Sequence, residues 1–222
     1  MTDTATRTLS EYDSKRLLAS AGVPVLDERL AVGADEAVAA AREISPSRAA
    51  VVLKLCGAGV AHKTERGLVR LGLRSDDEVR QAAAGLLTAA RPEDVADGVL
   101  VAPMARGSRE LIAGVQRDPQ FGPCVMVGLG GVLAEALGDV TFRLAPVERV
   151  DAEEMLDDLA GQAVLGPVRG GPPVDRAAVV DVVLALSRVA EARTDIVSVD
   201  VNPLVVVDGK PVAVDALVEV AG

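Results

Sequence analysis

The C-terminal stretch 196–220, IVSVDVNPLVVVDGKPVAVDALVEV, places the tightest limit on the fold. Two β-branched runs flank Asp208-Gly209, a pair suited to the positive φ angles of a two-residue hairpin turn. Such a turn pairs Val207 with Lys210, and the same register carried further sets Asn202 opposite Asp215. A three-residue turn would shift the pairing by one position and part them. Asp200 shares the parity of Asn202 and therefore its face, about 7 Å along the strand. Two carboxylates and an amide oxygen then form a patch of hard oxygen donors, which suits Mg²⁺ carrying substrate phosphates. The alternative is an ordinary solvent-facing side of a sheet.

The rest of the chain alternates strands and helices. LSEYDSKRLLASAGVPV (9–25) predicts a helix capped by Ser10, with Asp13 three residues on and a stop at Gly22 and Pro24. Residues 1–8 are polar and expected to fray. Strands are expected at 25–32, 49–56, 67–73, 98–104, 109–118, 123–131 and 139–147. Helices are expected at 35–44, 76–90, 152–161 and 175–192. Hairpins mixed with helices give an α/β chain of the α+β kind. The expected seam lies near 91–98, where Pro92 and Glu93-Asp94 interrupt the pattern.

Composition narrows the function. The chain of 222 residues is half hydrophobic but only 1% aromatic, so its core is built from Val, Leu, Ala and Ile. A net charge of −10 argues against a nucleic-acid partner, because phosphate backbones demand an excess of Lys and Arg. Cys56 and Cys124 sit in apolar runs and read as reduced core cysteines. MTDTATRTLS lacks the apolar segment of a signal peptide, and no apolar run reaches about 18 residues. The expectation is a cytoplasmic protein with no membrane partner.

Several residues look chemical. Lys54 stands mid-strand in AAVVLKLC, where it either snorkels to an edge or faces a bound anion such as a nucleotide phosphate. GAGVAHKTERG (57–67) holds the only histidine, His62, among Gly57, Gly59 and Gly67. His62 has no second His or cysteine pair with which to bind zinc, which leaves an exposed loop residue or a nucleophile. Glu110 opens RELIAGV and is able to accept hydrogen bonds from a ribose. Arg143 lies in the apolar strand DVTFRLAP. GLGG (128–131) is a glycine turn after a strand but neither a P-loop nor a complete dinucleotide fingerprint.

Taken in order, LSEYDSKRLLASAGVPV, VVLK, VAHKTERG, VLVAPM, RELIAGVQRDPQFGPCVMVGLGG, DVTFRLAP, VDVNPL and AVDA resemble the ATP-grasp subunit of the nucleoside-diphosphate-forming acyl-CoA synthetases, relatives of the succinyl-CoA synthetase β subunit. The resemblance runs from Leu9 to Val220. It implies an ATP-grasp fold of two α/β lobes gripping ATP, at 25–98 and 99–222, with the helix of 9–24 packed on the second. By the same resemblance Lys54 contacts nucleotide phosphate, Ala102, Pro103 and Met104 form the hinge that reads adenine, and Glu110 meets the ribose. Gly67 belongs to the phosphate-approaching loop. Asn202 and Asp215 ligate Mg²⁺, Asp200 steadies a phosphohistidine, Arg143 is counted with the catalytic set, and His62 relays the phosphoryl group.

The implied substrates are ATP or ADP and a small acid, with coenzyme A held by a CoA-binding α-type partner subunit. Two departures stand out. Leu68 follows Gly67 where the family carries a second glycine, and Pro103 stands where the hinge often has an acidic residue. Two other functions fit the same residues: an ATP-grasp ligase that passes an acyl phosphate to an amine, which needs no His62, and a non-catalytic nucleotide-binding regulatory module.

Overall fold

The computed structural model describes residues 6–107, 109–131, 138–168 and 170–222. The chain divides into two compact units. The smaller comprises Thr8–Asp13 and Leu26–Met104, and the larger comprises Met1–Arg7, Ser14–Val25 and Ala105–Gly222.

The smaller unit is a four-stranded sheet with two helices on one face. Its strands are β2 (Arg29–Ala31), β3 (Val51–Gly57), β4 (Val69–Leu73) and β5 (Ala96–Pro103), in the order β2-β5-β3-β4. Every ladder in it is antiparallel. The pleat explains the layering. Leu53 pairs with Val101 and Leu55 with Val99, and these side chains join one core cluster with α2 (Ala34–Ile44) and α3 (Asp76–Ala89). Lys54, paired with Leu100, belongs to the opposite face. A capping box at Ser75 and Glu78 starts α3.

The expected seam at 91–98 and the expected boundary at 98/99 do not coincide with the observed division. β5 runs through that point and pairs with both β2 and β3, so the smaller unit extends to Met104. Pro92-Glu93-Asp94 is a turn of this unit in which Pro92 and Glu93 are exposed and Asp94 is fully buried. The polar sequence looks like a linker because its carboxylate is neutralised by a residue far away in the chain.

The larger unit is built on a sheet ordered β1 (Thr6–Thr8), β11 (Ala216–Ala221), β9 (Ile196–Val207), β6 (Arg109–Asp118), β7 (Gly122–Leu129) and β8 (Val140–Leu144), with β10 (Lys210–Ala213) also paired to β9. Thr6–Thr8, expected to fray, therefore forms a strand. The fraying expected of residues 1–5 lies outside the described residues. α4 (Arg149–Asp157) and α5 (Arg176–Ala192) cover one face, where Val115, Val125, Val199 and Val201 are buried.

The N-terminal helix α1 (Glu11–Ser20) is capped by Ser10, whose Oγ accepts from the N–H of Asp13 at 3.2 Å. The family resemblance places this helix wholly on the second lobe. Instead its first turn is assigned to the smaller unit and the remainder to the larger. Ser14 Oγ accepts from the N–H of Val218 at 3.1 Å.

Gly57 exists for close approach. A Cβ there would stand 2.5 Å from the Val95 carbonyl oxygen and 2.6 Å from that of Asp94, both immovable backbone. Gly85, mid-way along α3, has open space around it. Gly57→Ala should therefore destabilise the protein by about 1–3 kcal/mol in urea unfolding, as an overpacked core does. Gly85→Ala should stabilise it by roughly 0.5–1 kcal/mol through helix propensity.

Candidate functional site

In the smaller unit, charge gathers behind the glycine loop. Lys54 Nζ donates to Glu11 Oε1 at 2.7 Å, and Lys63 Nζ donates to Glu11 Oε2. The side chains of Glu11, Lys54 and Lys63 are only 3%, 8% and 15% exposed. Burial of an ammonium is tolerated because the carboxylate answers it, and removing one partner of such a pair costs about 3–5 kcal/mol. Lys54 thus neither snorkels nor stands alone. Cys56, on the same face of β3 as Lys54, is buried, and desolvation raises its thiol pKa.

The loop itself is pinned at several points. Arg66 grips Asp94 with both terminal nitrogens, at 2.7 and 2.8 Å. The Asp94 carbonyl accepts from Gly59 N–H at 2.9 Å, and its Oδ2 accepts from Arg91 N–H at 2.8 Å. One buried residue therefore holds the loop on both sides of His62. The Arg66 guanidinium, followed by the Arg91 N–H, outweighs desolvation and lowers the Asp94 pKa to about 2.

A short turn carries the histidine. Arg66 N–H donates to the His62 carbonyl at 3.0 Å, and Gly67 N–H, at φ 65, donates to Thr64 O at 3.1 Å. His62 sits at the tip with φ 53, a left-handed conformation that costs a non-glycine residue roughly 1–2 kcal/mol. Its side chain is 73% exposed, with Nδ1 3.5 Å from Glu65. Leu68, the departure from glycine, is 1% exposed and joins the apolar core. The exchange puts a core side chain at the loop's base.

The hinge residues close β5. Ala102 and Pro103 pair with Val52 and Val51, and the Met104 N–H donates to Ala50 O at 3.1 Å. Pro103 has no N–H and that of Met104 is engaged, so neither offers a backbone donor to a base.

In the larger unit the hairpin register is the one the turn chemistry dictates. Asp208 and Gly209 have φ 49 and 85, Val207 pairs with Lys210, and Asp200 pairs with Leu217. Asn202 N–H donates to Asp215 O at 3.3 Å, which sets the two side by side. Against β6 the strand is bulged, since Leu204 pairs with Leu111 but Val201 with Ala113. Two residues, Asn202 and Pro203, thus oppose Ile112 alone, a device that re-aims side chains.

Glu110 is exposed and starts the same face of β6 that carries Gly114, the partner of Asp200. Its carbonyl accepts from Gly130 N–H at 2.8 Å, so the GLGG turn lies against it. Arg143 does not belong to this group. It pairs with Val125 on the helix-covered face and binds Asp158 at 2.7 Å. Strand parity puts it on the far side of the sheet from Asp200, where its guanidinium meets the residue that follows α4.

Glu11, Lys63, Arg66 and Asp94 do not stand out in the sequence. The scarcity of lysine, only four in the chain, is the one signal pointing at Lys63. Nothing local marks Asp94 as the partner of Arg66, 28 residues away.

A model of the ATP-grasp domain matches residues 1–220. The chain belongs to the ATP-grasp family. It is 36% identical over 213 residues to the acetate–CoA ligase [ADP-forming] I subunit beta of Pyrococcus furiosus, over 95% of this chain and 90% of that one. The acetate–CoA ligase [ADP-forming] I of Archaeoglobus fulgidus is 36% identical over 211 residues, spanning 90% of this chain but 30% of that longer one. Among solved structures, the dinucleotide-forming acetyl-coenzyme A synthetase 1 of Ca. Korarchaeum cryptofilum in complex with coenzyme A, Ca-AMPCP and HgCl+ matches with a TM-score of 0.89 at 37% identity, over 97% of this chain and 94% of that one. The same protein has been solved with coenzyme A and Mg-AMPPCP, its phosphohistidine segment pointing towards the nucleotide binding site. That structure matches with a TM-score of 0.81 at 37% identity, over 96% of this chain and 92% of that one. Relatives of this ATP-grasp chain are thus ADP-forming acid–CoA ligases, with the matching region a separate subunit in one and part of a longer chain in another.

No helix among the described residues is long and apolar enough to cross a membrane.

The Asp94 carboxylate links stability to pH. Its folded pKa is below the ordinary value, so the contribution is full above about pH 4 and is lost as pH falls towards 2. Asp94→Asn should be less stable than the parent at pH 5–7. The gap in unfolding free energy should close between pH 4 and 2, as measured by denaturant titration at each pH.

Proposed function

We propose that the chain is the nucleotide-binding, phosphoryl-transferring subunit of an ADP-forming acyl-CoA synthetase, acting through a phosphohistidine at His62. The observation that carries this reading is the placement of His62. An exposed imidazole tips a loop whose next residue, Lys63, shares a buried carboxylate with Lys54. Support comes from the Korarchaeum relative, which was solved with a phosphohistidine segment directed at its nucleotide.

The chemistry closes in three steps. Acyl-CoA and phosphate give an acyl phosphate and free coenzyme A on a CoA-binding partner subunit. The acyl phosphate yields its phosphoryl group to an imidazole, releasing the acid. A phosphohistidine at His62 then transfers that group to ADP, the N–P bond breaking as the new P–O bond of ATP forms. Lys54 provides positive charge for the phosphate oxygens, and Glu110 accepts from the ribose hydroxyls.

Asn202 and Asp215 are the residues offered to Mg²⁺, with Asp200 on the same face to steady the phosphohistidine. They supply oxygen donors only, and among the described residues no three His, Cys, Asp or Glu side chains form a closed metal centre. An open set of this kind fits an ion that keeps waters and shares a substrate phosphate. When bound, Mg²⁺ would offset charge on the transferring phosphoryl group.

The account predicts that His62→Ala, paired with its CoA-binding partner, loses at least about 10³-fold of ATP formation from acyl-CoA, ADP and phosphate while still binding ADP. Activity persisting in His62→Ala would show an ATP-grasp ligase that needs no histidine. Asp215→Asn should raise the Mg²⁺ concentration needed for half-maximal rate in a Mg²⁺ titration of ATP formation.

A further inference from the structure

Glu11 accepts from both Lys54 and Lys63, and that shared carboxylate has no part in the chemistry described above. We propose that Glu11 is a positioning residue that fixes the His62 turn relative to the phosphate-binding lysine, with Lys63 as the link. The inference rests on the reading of His62 as the phosphoryl carrier and names a further part of that same site.

Three observations carry it. First, the pair is built into the interior. The Glu11 side chain is 3% exposed, and Lys54 and Lys63 are nearly as enclosed, so these are not exchanging surface contacts. Second, both oxygens of the carboxylate are engaged. Oε1 accepts from Lys54 and Oε2 accepts from Lys63. Third, Lys63 is adjacent to His62 in the chain, and its carbonyl also accepts from Leu68 N–H at 2.7 Å. Shifting Lys63 therefore shifts the backbone on which the imidazole stands, whereas the Arg66–Asp94 pair grips the turn four residues beyond His62. A nucleophile must sit within about 3–3.5 Å of the phosphorus in line with the leaving oxygen, and misplacement by about 1 Å can cost 10²-fold. A buried carboxylate that sets the spacing of the lysine and the histidine turn meets that demand.

The test follows the last phosphoryl transfer in reverse. The full chain is mixed with γ-labelled Mg-ATP in a rapid-quench device, and acid-labile label on His62 is counted against time, with ADP affinity and the unfolding midpoint measured in parallel. Lys63→Met keeps the Lys54–Glu11 pair and should slow labelling by tenfold or more while ADP affinity stays within about twofold. Lys63→Arg, which can still reach the carboxylate, should recover most of the rate. Glu11→Gln should slow labelling and also weaken ADP binding, since it loosens both lysines. Labelling of Lys63→Met at the parental rate, with only its unfolding midpoint lowered, would make the pair structural and overturn the proposal. Equal loss in Lys63→Arg and Lys63→Met would overturn it too, because a positioning charge should be replaceable. If the unsubstituted chain takes no label at His62, the phosphohistidine reading fails and this inference falls with it. Label on the parent with normal Lys63→Met kinetics defeats the inference alone.

Discussion

A carboxylate buried between two ammonium groups is the interaction on which the smaller unit's charged interior depends. Lys54 lies at the centre of β3, flanked by β5 and β4, where an unanswered charge would cost several kcal/mol. Glu11 makes that position tenable, and its second oxygen reaches into the histidine loop through Lys63. The sheet fixes the backbone of Lys54, and Glu11 fixes its ammonium. The loop inherits order from the same source, aided by Asp94, which holds it through Arg66 and through the Gly59 N–H. Gly57 and Gly59 allow close packing against residues 93–96, whereas Gly67 supplies a positive φ. Any travel of the His62 turn must therefore part named ion pairs, a more specific requirement than flexibility.

The larger unit reaches its oxygen donors by another route. A two-residue turn at Asp208-Gly209 fixes the register of β9 with β10 and, beyond it, with β11, and a bulge at Asn202-Pro203 absorbs the mismatch with β6. Asn202 and Asp215 are neighbours because of that turn, distant in sequence but adjacent across the ladder. The opposite face is apolar and covered by α4 and α5, which leaves the Asp200 and Glu110 face for polar work.

Much of this is legible in the sequence, for physical reasons. Turn chemistry and a period of two determine a hairpin locally, so the Asn202–Asp215 pairing follows from the residues of that stretch alone. The helix start at Ser10 obeys the same local logic. What escapes is non-local. Glu11 and Lys54 are 43 residues apart, Arg66 and Asp94 are 28 apart, and neither pairing leaves a trace in composition or periodicity. Polar residues buried by a distant partner look like linker, which is why the expected seam falls near Pro92. Arg143 is a different case. Its strand is evident from the residue pattern, but its face is assigned only by Val125 as its partner and Asp158 as its contact.

The central claim is that His62 carries the phosphoryl group, and chemical mapping of the modified residue tests it most directly. The chain is incubated with γ-labelled Mg-ATP, denatured in alkali, cleaved, and its peptides examined by mass spectrometry and by lability. The account predicts one phosphate on the peptide containing His62, stable in base and lost in acid. Base-stable phosphate mapped to a peptide without His62, or no covalent phosphate at all under conditions where ATP is bound, would contradict it.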